Sequence, residues 1–120
     1  MALGLIASEA NAIIDGLDGT FLQLHIGDPG AAGTTAPATE TTRQGVTLNA
    51  AAAGTADNSV ALTWTGIAGS QTPTHFSLWS LASGGTFRFS GTLSTAGYTA
   101  GNTFQIPIGD LDLTVTTVAA

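Results

Sequence analysis

The chain has 120 residues, which is enough for one domain with a single hydrophobic core. It carries eight carboxylates, two arginines and no lysine, so its net charge is −6. This balance excludes a surface for nucleic acid and argues against an anionic membrane as partner, because both need several cationic side chains. The absence of cysteine excludes disulfides, thiolate catalysis and Cys-ligated zinc.

Small residues dominate the composition: 20 Thr, 20 Ala and 16 Gly make up nearly half of the chain. Since 43% of residues are hydrophobic and the mean hydropathy is +0.32, the chain is expected to fold rather than remain disordered. A surface built from such residues is weakly hydrated, which favours a protein covered by copies of itself or by a partner. A soluble monomer is the alternative. No apolar run reaches the roughly 18 residues of a membrane span.

A helical period near the N-terminus predicts one helix over residues 3–16. Ser8 is an alternative N-cap, with the helix then starting at Glu9. Gly16 and Gly19 are expected to end the helix in left-handed backbone. The apolar residues that recur at steps of three and four, and that would share one face, are Leu3, Ile6, Ala7, Ala10, Ile13, Ile14 and Leu17.

After residue 19 the apolar period changes to two, which is typical of strands. Seven strands are predicted, at about 21–26, 46–50, 60–65, 74–81, 87–93, 104–108 and 111–117. The segment 74–81 is apolar on both faces, so it is expected to be central or covered by a neighbour. Pro107 cannot donate a ladder hydrogen bond, which predicts an edge or a bulge for its strand. Trp64 and Phe76 are predicted to be core residues.

One helix followed by about seven short strands predicts a mainly β fold, an antiparallel, jelly-roll-like β-sandwich with one N-terminal α-helix. The expected organisation is a single domain over 1–120, with the helix in 1–18 and the sandwich in 19–118. The segment 31–42 has no period and no core-forming residue, so it is predicted to be a long loop that a neighbouring chain would order.

Few residues could carry catalysis. His25 and His75 lie on different predicted strands without a further ligand nearby, so each is expected to be a strand histidine with a hydrogen-bonded ring. No serine stands in a G-x-S-x-G elbow, and no glycine-rich nucleotide loop is present. The sequence therefore predicts no enzyme and no cofactor.

The carboxylates and the aromatic residues leave three further hypotheses: a calcium site, a carbohydrate-binding module and a polysaccharide hydrolase. Asp110 and Asp112 could share a calcium ion with Asp28 or Asp57, although solvated turn and edge residues are the simpler interpretation. A carbohydrate-binding module would stack sugar on exposed aromatic rings, and a polysaccharide hydrolase would need two carboxyls within about 10 Å of each other. The side chains large enough for such stacking are Trp64, Trp79 and Tyr98.

Five segments carry a resemblance to a known family. They are NAIIDGL (11–17), LHIGDPG (24–30), TRQGVT (42–47), THFSLWSLASGGTF (74–87) and YTAGNTFQIPIGDLDLTV (98–115). Together they resemble a family of small tailed-bacteriophage virion proteins, labelled tail-fibre or minor structural proteins, many of which occur in phages of actinobacteria. The resemblance implies a non-enzymatic component of the virion that is assembled in the bacterial cytoplasm.

The place on the particle is predicted from architecture. A fibre usually has a long trimeric shaft, and the chain has no shaft repeat, so we expect a capsid decoration protein that binds the major capsid protein on the outer surface. The alternative is a tail-associated protein, a tail fibre or minor tail protein, involved in host attachment. A homo-oligomer is expected, with a trimer favoured.

The predicted attachment elements are the N-terminal helix and the loop 31–42. The competing interpretation is that the helix only closes one open end of the sandwich. The two-sided strand around 76–81 is a further expected contact. The candidate interface residues are Leu3, Ile6, Ile13, Ile14, Pro37, Trp79 and Leu81.

Overall fold

One short helix and eight short strands form the described part of the chain. The computed structural model describes residues 6–95 and 97–115. The elements are α1 (Ala7–Asp15), β1 (Phe21–His25), β2 (Gln44–Gly45), β3 (Thr55–Asp57), β4 (Leu62–Trp64), β5 (His75–Trp79), β6 (Phe87–Thr92), β7 (Phe104–Ile106) and β8 (Asp112–Thr114).

All pairings between these strands are antiparallel. Four strands form one sheet in the order β2-β1-β5-β6, and the others form two ribbons, β3-β8 and β4-β7. The prediction of a mainly β, antiparallel, sandwich-like fold with one helix is confirmed. Pro107 directly follows β7, whose partner is β4, so the prediction of an edge position at this proline is also confirmed.

A single hydrophobic core lies between the sheet and the ribbons. Trp64 is 1% exposed and Phe76 is 0% exposed, so both predicted core residues are confirmed. Strand β5 lies between β1 and β6 and is buried on both faces, as predicted for a central strand. The facing β6 residue is Gly91, where an added Cβ would lie 2.7 Å from the Phe76 ring, so this glycine makes room for the ring.

Helix α1 packs one face into this core. Ala10 and Ile14 are fully buried, and Leu17 beyond the helix end is 2% exposed. The N-cap is Ile6, which makes no side-chain hydrogen bond, so the alternative start of the helix at Glu9 is wrong. The predicted helical residues 3–5 lie outside the described residues.

The two glycines after the helix behave differently. Gly16 has right-handed backbone with φ of −69°, whereas Gly19 has φ of +83°. The left-handed turn expected at both positions therefore occurs only at Gly19. The Gly16 N–H instead continues the α-helical pattern by donating to the Ala12 carbonyl, and the chain tightens one residue later, where the Leu17 N–H donates to the Ile14 carbonyl.

Two segments differ from the predicted strand pattern. Residues 55–57 lie outside the seven predicted strands but form β3, since Ala56 packs into the core and the segment pairs with β8. Its single apolar residue is too little for an alternating pattern to be visible. The strand predicted at 46–50 is replaced by β2 at Gln44–Gly45, although Val46 and Leu48 remain buried.

The loop 31–42 is ordered by its own chain. The backbone N–H of Ala38 donates to the Leu24 carbonyl, and Ala38 itself is 2% exposed within the core. The Trp64 indole N–H donates to the Thr42 carbonyl at 2.8 Å. The expectation that this loop lacks core residues and needs a neighbouring chain to order it is therefore wrong.

The burial of Phe76 yields a stability prediction. Replacing it by alanine removes a fully buried ring and leaves a cavity, so Phe76→Ala should lower the free energy of unfolding by about 3–5 kcal/mol. Urea denaturation measures this change. The control is Ile108→Ala at a side chain that is 65% exposed, which should change stability by no more than about 0.5 kcal/mol. Equal stability of the two variants would contradict the assigned strand faces.

Candidate functional site

The predicted interface residues lie in different environments. Leu3 is outside the described residues. Ile6 and Ile13 are seven residues apart, so they share the outer side of α1, where they are 56% and 45% exposed. Ile14 belongs to the core and presents no surface. The remaining three are Pro37 and Leu81, which are exposed, and Trp79, which is 9% exposed.

The Trp79 ring is covered on its own chain. The guanidinium carbon of Arg43 lies 4.3 Å from the ring centroid, and the Phe87 ring packs at 5.5 Å. The indole N–H donates to the Ser77 hydroxyl at 2.8 Å. Trp79 and the core residue Trp64 therefore offer no free ring face on which a sugar could stack.

Arg43 holds the tip of the β5–β6 hairpin. Its Nη1 donates to the carbonyls of Leu81 at 2.9 Å and Gly84 at 2.6 Å, and its Nε donates to Gln23 Oε1 at 3.3 Å. Partial burial lowers the pKa of the guanidinium, which stays charged at neutral pH because guanidinium groups are protonated over the whole physiological range. One of the two arginines thus has a structural role.

A buried hydrogen-bond chain runs from Trp79 to the loop 31–42. The Thr35 carbonyl lies 2.9 Å from His25 Nδ1 and can only accept, so the proton is on Nδ1. His25 Nε2 then accepts from the Ser77 hydroxyl at 2.7 Å, while that hydroxyl accepts from the Trp79 indole. The neutral ring satisfies every partner in the chain, as expected for a strand histidine.

The Ser77–His25 pair has the atoms of a nucleophile and its base. Both residues are 0% exposed, so no substrate carbonyl can reach the hydroxyl. Burial lowers the pKa of His25 below its ordinary value of 6.5, with a smaller contribution from the nearby His75. This pair therefore serves as structural support for the loop.

The aspartates are spread over the surface, whereas Glu40 is buried. Asp57 and Asp112 are directly opposite on β3 and β8, and Asn49 donates to Asp57 at 2.7 Å. Asp28 accepts from the Gly30 backbone N–H within its own turn. Within residues 6–95 and 97–115, no set of three His, Cys, Asp or Glu side chains lies close enough together to hold a metal ion. The geometry thus gives no support to the calcium hypothesis.

Two adjoining cavities form a surface groove that the sequence patterns did not reveal. The first, of about 410 Å³, lies between residues 94–95, 97–99 and 102–105, with Pro107 and Asp110 at its side. The second, of about 380 Å³, lies between residues 89–92 and the outward side chains of β8. Both contain Ser94 and Asp110, and we call the pair the polar groove. The sequence had singled out three of its lining residues for other roles: Tyr98 as a candidate for sugar stacking, and Asp110 and Asp112 as candidate calcium ligands.

None of the helices in the described part of the chain has the length and apolar character required to cross a membrane.

Comparison with known proteins places the fold in a phage context. The family model described as podophage GP4 fiber I protein gp80 matches residues 16–114. The match begins one residue after α1 ends and finishes at the last residue of β8, so it includes all eight strands. No curated protein matches the chain.

The buried histidine yields a pH prediction. Because the pKa of His25 is lowered in the folded state, the unfolded state takes up a proton first as pH falls below about 6.5. The free energy of unfolding should therefore fall from pH 7.5 towards pH 5. His25→Gln should remove this dependence, and His75→Gln should retain it. Urea denaturation at a series of pH values measures both; a flat profile for the unaltered chain would contradict the neutral His25.

The cover over Trp79 yields a spectroscopic prediction. Arg43→Ala removes the cation–π contact and two bonds to carbonyls, so it should cost about 1–2 kcal/mol. It should also raise the acrylamide quenching of tryptophan fluorescence, since Trp64 stays buried. Arg88→Ala, at an exposed arginine of β6, is the matched control. Equal quenching in the two variants would show that Arg43 does not cover the ring.

Proposed function

The chain belongs to the podophage GP4 fiber I protein gp80 family, and we propose that it is a fibre-associated component of the phage tail that takes part in host attachment. The observation that carries this proposal is the family match over residues 16–114. Membership implies a phage structural protein of the virion, related to fibre proteins and without a catalytic role.

The tail is preferred to the head for one reason. The fibre family matches the whole β fold, and no observation supports the expected capsid decoration role. The expectation of a head protein came from the lack of a shaft repeat, but a fibre can include small globular chains beside its shaft. The tail-associated alternative therefore fits the chain better.

The outer side of α1 is the proposed contact with other virion proteins. Ile6 and Ile13 are exposed there, although the opposite face of the same helix is buried in the core. Burying both side chains would stabilise a complex through the hydrophobic effect. Because the chain has two arginines and no lysine, such a contact would contain few ion pairs, and its affinity would depend little on salt concentration.

The proposed assembly is a homo-oligomer, with a trimer as the form to test first. The two apolar faces of β5 do not supply this contact, because on the outer face Arg43 covers the Trp79 ring and His25, bonded to the loop 31–42, bonds Ser77. What favours self-association is the weakly hydrated composition, rich in Thr, Ala and Gly.

Localisation on the particle tests the proposed function. Cryo-electron microscopy of the intact phage, with an antibody against the chain as a label, should place a few copies at the tail. Density over the capsid surface at the copy number of the head lattice would overturn the proposal.

A helix variant tests the contact surface. Ile6→Ser with Ile13→Ser should leave the melting temperature nearly unchanged, because both side chains are exposed, and should reduce incorporation into particles. The control is Val60→Ser with Ile108→Ser, at residues that are 55% and 65% exposed elsewhere. Deleting residues 1–17 is a poorer test, since it removes Ile14 and Leu17 from the core. Normal incorporation of the helix variant would contradict the proposed contact.

A further inference from the structure

The polar groove contains the Asp and Asn side chains that the fold itself leaves without a hydrogen bond among the described residues. The chain has ten Asp and Asn residues. Seven of them hydrogen-bond backbone or side-chain groups elsewhere in the fold. The other three, Asn102, Asp110 and Asp112, bond no other described side chain or backbone group through their side chains, and all three line the groove.

These three side chains are exposed and can each bind a ligand without breaking an internal bond. The amide of Asn102 offers two donors and an acceptor, and the carboxylates of Asp110 and Asp112 accept strongly. Hydroxyl groups surround them, from Ser94 and from threonines along the rim. The groove thus presents many hydrogen-bonding groups that suit a ligand rich in hydroxyls.

The charge of the groove restricts the ligand. Two carboxylates and no cation are among its lining residues, and the whole chain carries a net charge of −6. A phosphorylated, sulfated or carboxylated ligand would be repelled. The charge therefore disfavours anionic ligands, and the hydroxyl-rich rim favours a neutral one.

The floor of the groove is apolar. The rings of Tyr98 and Phe104 lie 5.3 Å apart between centroids and tilted by 59°, and they are 7% and 6% exposed. So little of either ring is exposed that they can contact the C–H groups of a ligand but offer no platform for a stacked ring. A pyranose has both the apolar C–H groups for such a floor and the hydroxyls for the polar rim.

We propose that the polar groove binds a neutral saccharide, with Asn102, Asp110 and Asp112 as its hydrogen-bonding residues. The cavity of about 410 Å³ holds one sugar unit, and the adjoining cavity of about 380 Å³ extends the site for a chain of them. The inference rests on the proposed role in host attachment for its biological context, in which the saccharide belongs to the cell surface.

The test uses the purified full chain with a panel of neutral oligosaccharides, a panel of uronic, sialylated and phosphorylated ones, and a panel of extended peptides. Saturation-transfer NMR detects binding even at millimolar dissociation constants. A neutral oligosaccharide should bind, and the anionic panel should not. Binding confined to anionic saccharides, or to peptides lying along the edges of β6 and β8 that no described strand pairs with, would overturn the proposal, as would no binding of any neutral sugar.

Two variants then assign the site. Asp110→Asn and Asn102→Ala should each weaken the binding of the identified oligosaccharide by about ten-fold, and together by more. Since neither side chain bonds another described residue, the melting temperature should not change. Glu9→Gln on α1 removes the same charge as Asp110→Asn far from the groove and should leave the affinity unchanged. Unaltered affinity in both groove variants would overturn the assignment.

The outcome is separable from the proposed function. Failure to bind saccharide would leave a tail location, established by labelled particles, unaffected. A capsid location together with saccharide binding would overturn the proposed tail function and leave the saccharide site standing.

Discussion

Burial of strand β5 on both faces is the constraint on which the rest of the described structure depends. Phe76 and Leu78 point into the core, and the opposite face carries Ser77 and Trp79. A buried hydroxyl and a buried indole N–H are costly unless each has a hydrogen-bond partner. The indole N–H donates to the Ser77 hydroxyl, and that hydroxyl donates to His25 on the neighbouring strand. The loop 31–42 supplies the carbonyl that holds the His25 ring, so the loop is part of the fold rather than an appendage.

Side chains that bond the backbone stabilise the segments between the strands. Asn58 is fully buried, and it donates to the carbonyls of Val60 and Pro107 and accepts from the backbone N–H groups of Gly109 and Leu111. The bond to Val60 is local, and the other three join two chain segments about 50 residues apart without an ionic contact. In a chain with two cations, amide and carboxylate groups take over this role from salt bridges.

The parts of the fold that the sequence predicted are those with a strong local period. The alternation around Phe76 predicted a central strand, and the apolar face of α1 predicted a helix with a buried side. Strand β3 could not be predicted, because its pairing with β8 depends on residues distant in the chain. The polar groove could not be predicted either. Whether the Asn102 side chain is available to a ligand depends on the hydrogen bonds of the folded chain, which no local pattern shows. The location on the particle has no local signature at all.

The pairing of Gly91 with Phe76 means that substitutions at these two positions should be correlated. An added methyl group at position 91 would collide with the ring, so a side chain there is compatible only with a smaller residue at position 76. Across the family, these two positions should therefore change together, with glycine accompanying an aromatic ring and alanine accompanying an aliphatic side chain. In an alignment of relatives, covariation of positions 76 and 91 would therefore reveal this contact without any further structure.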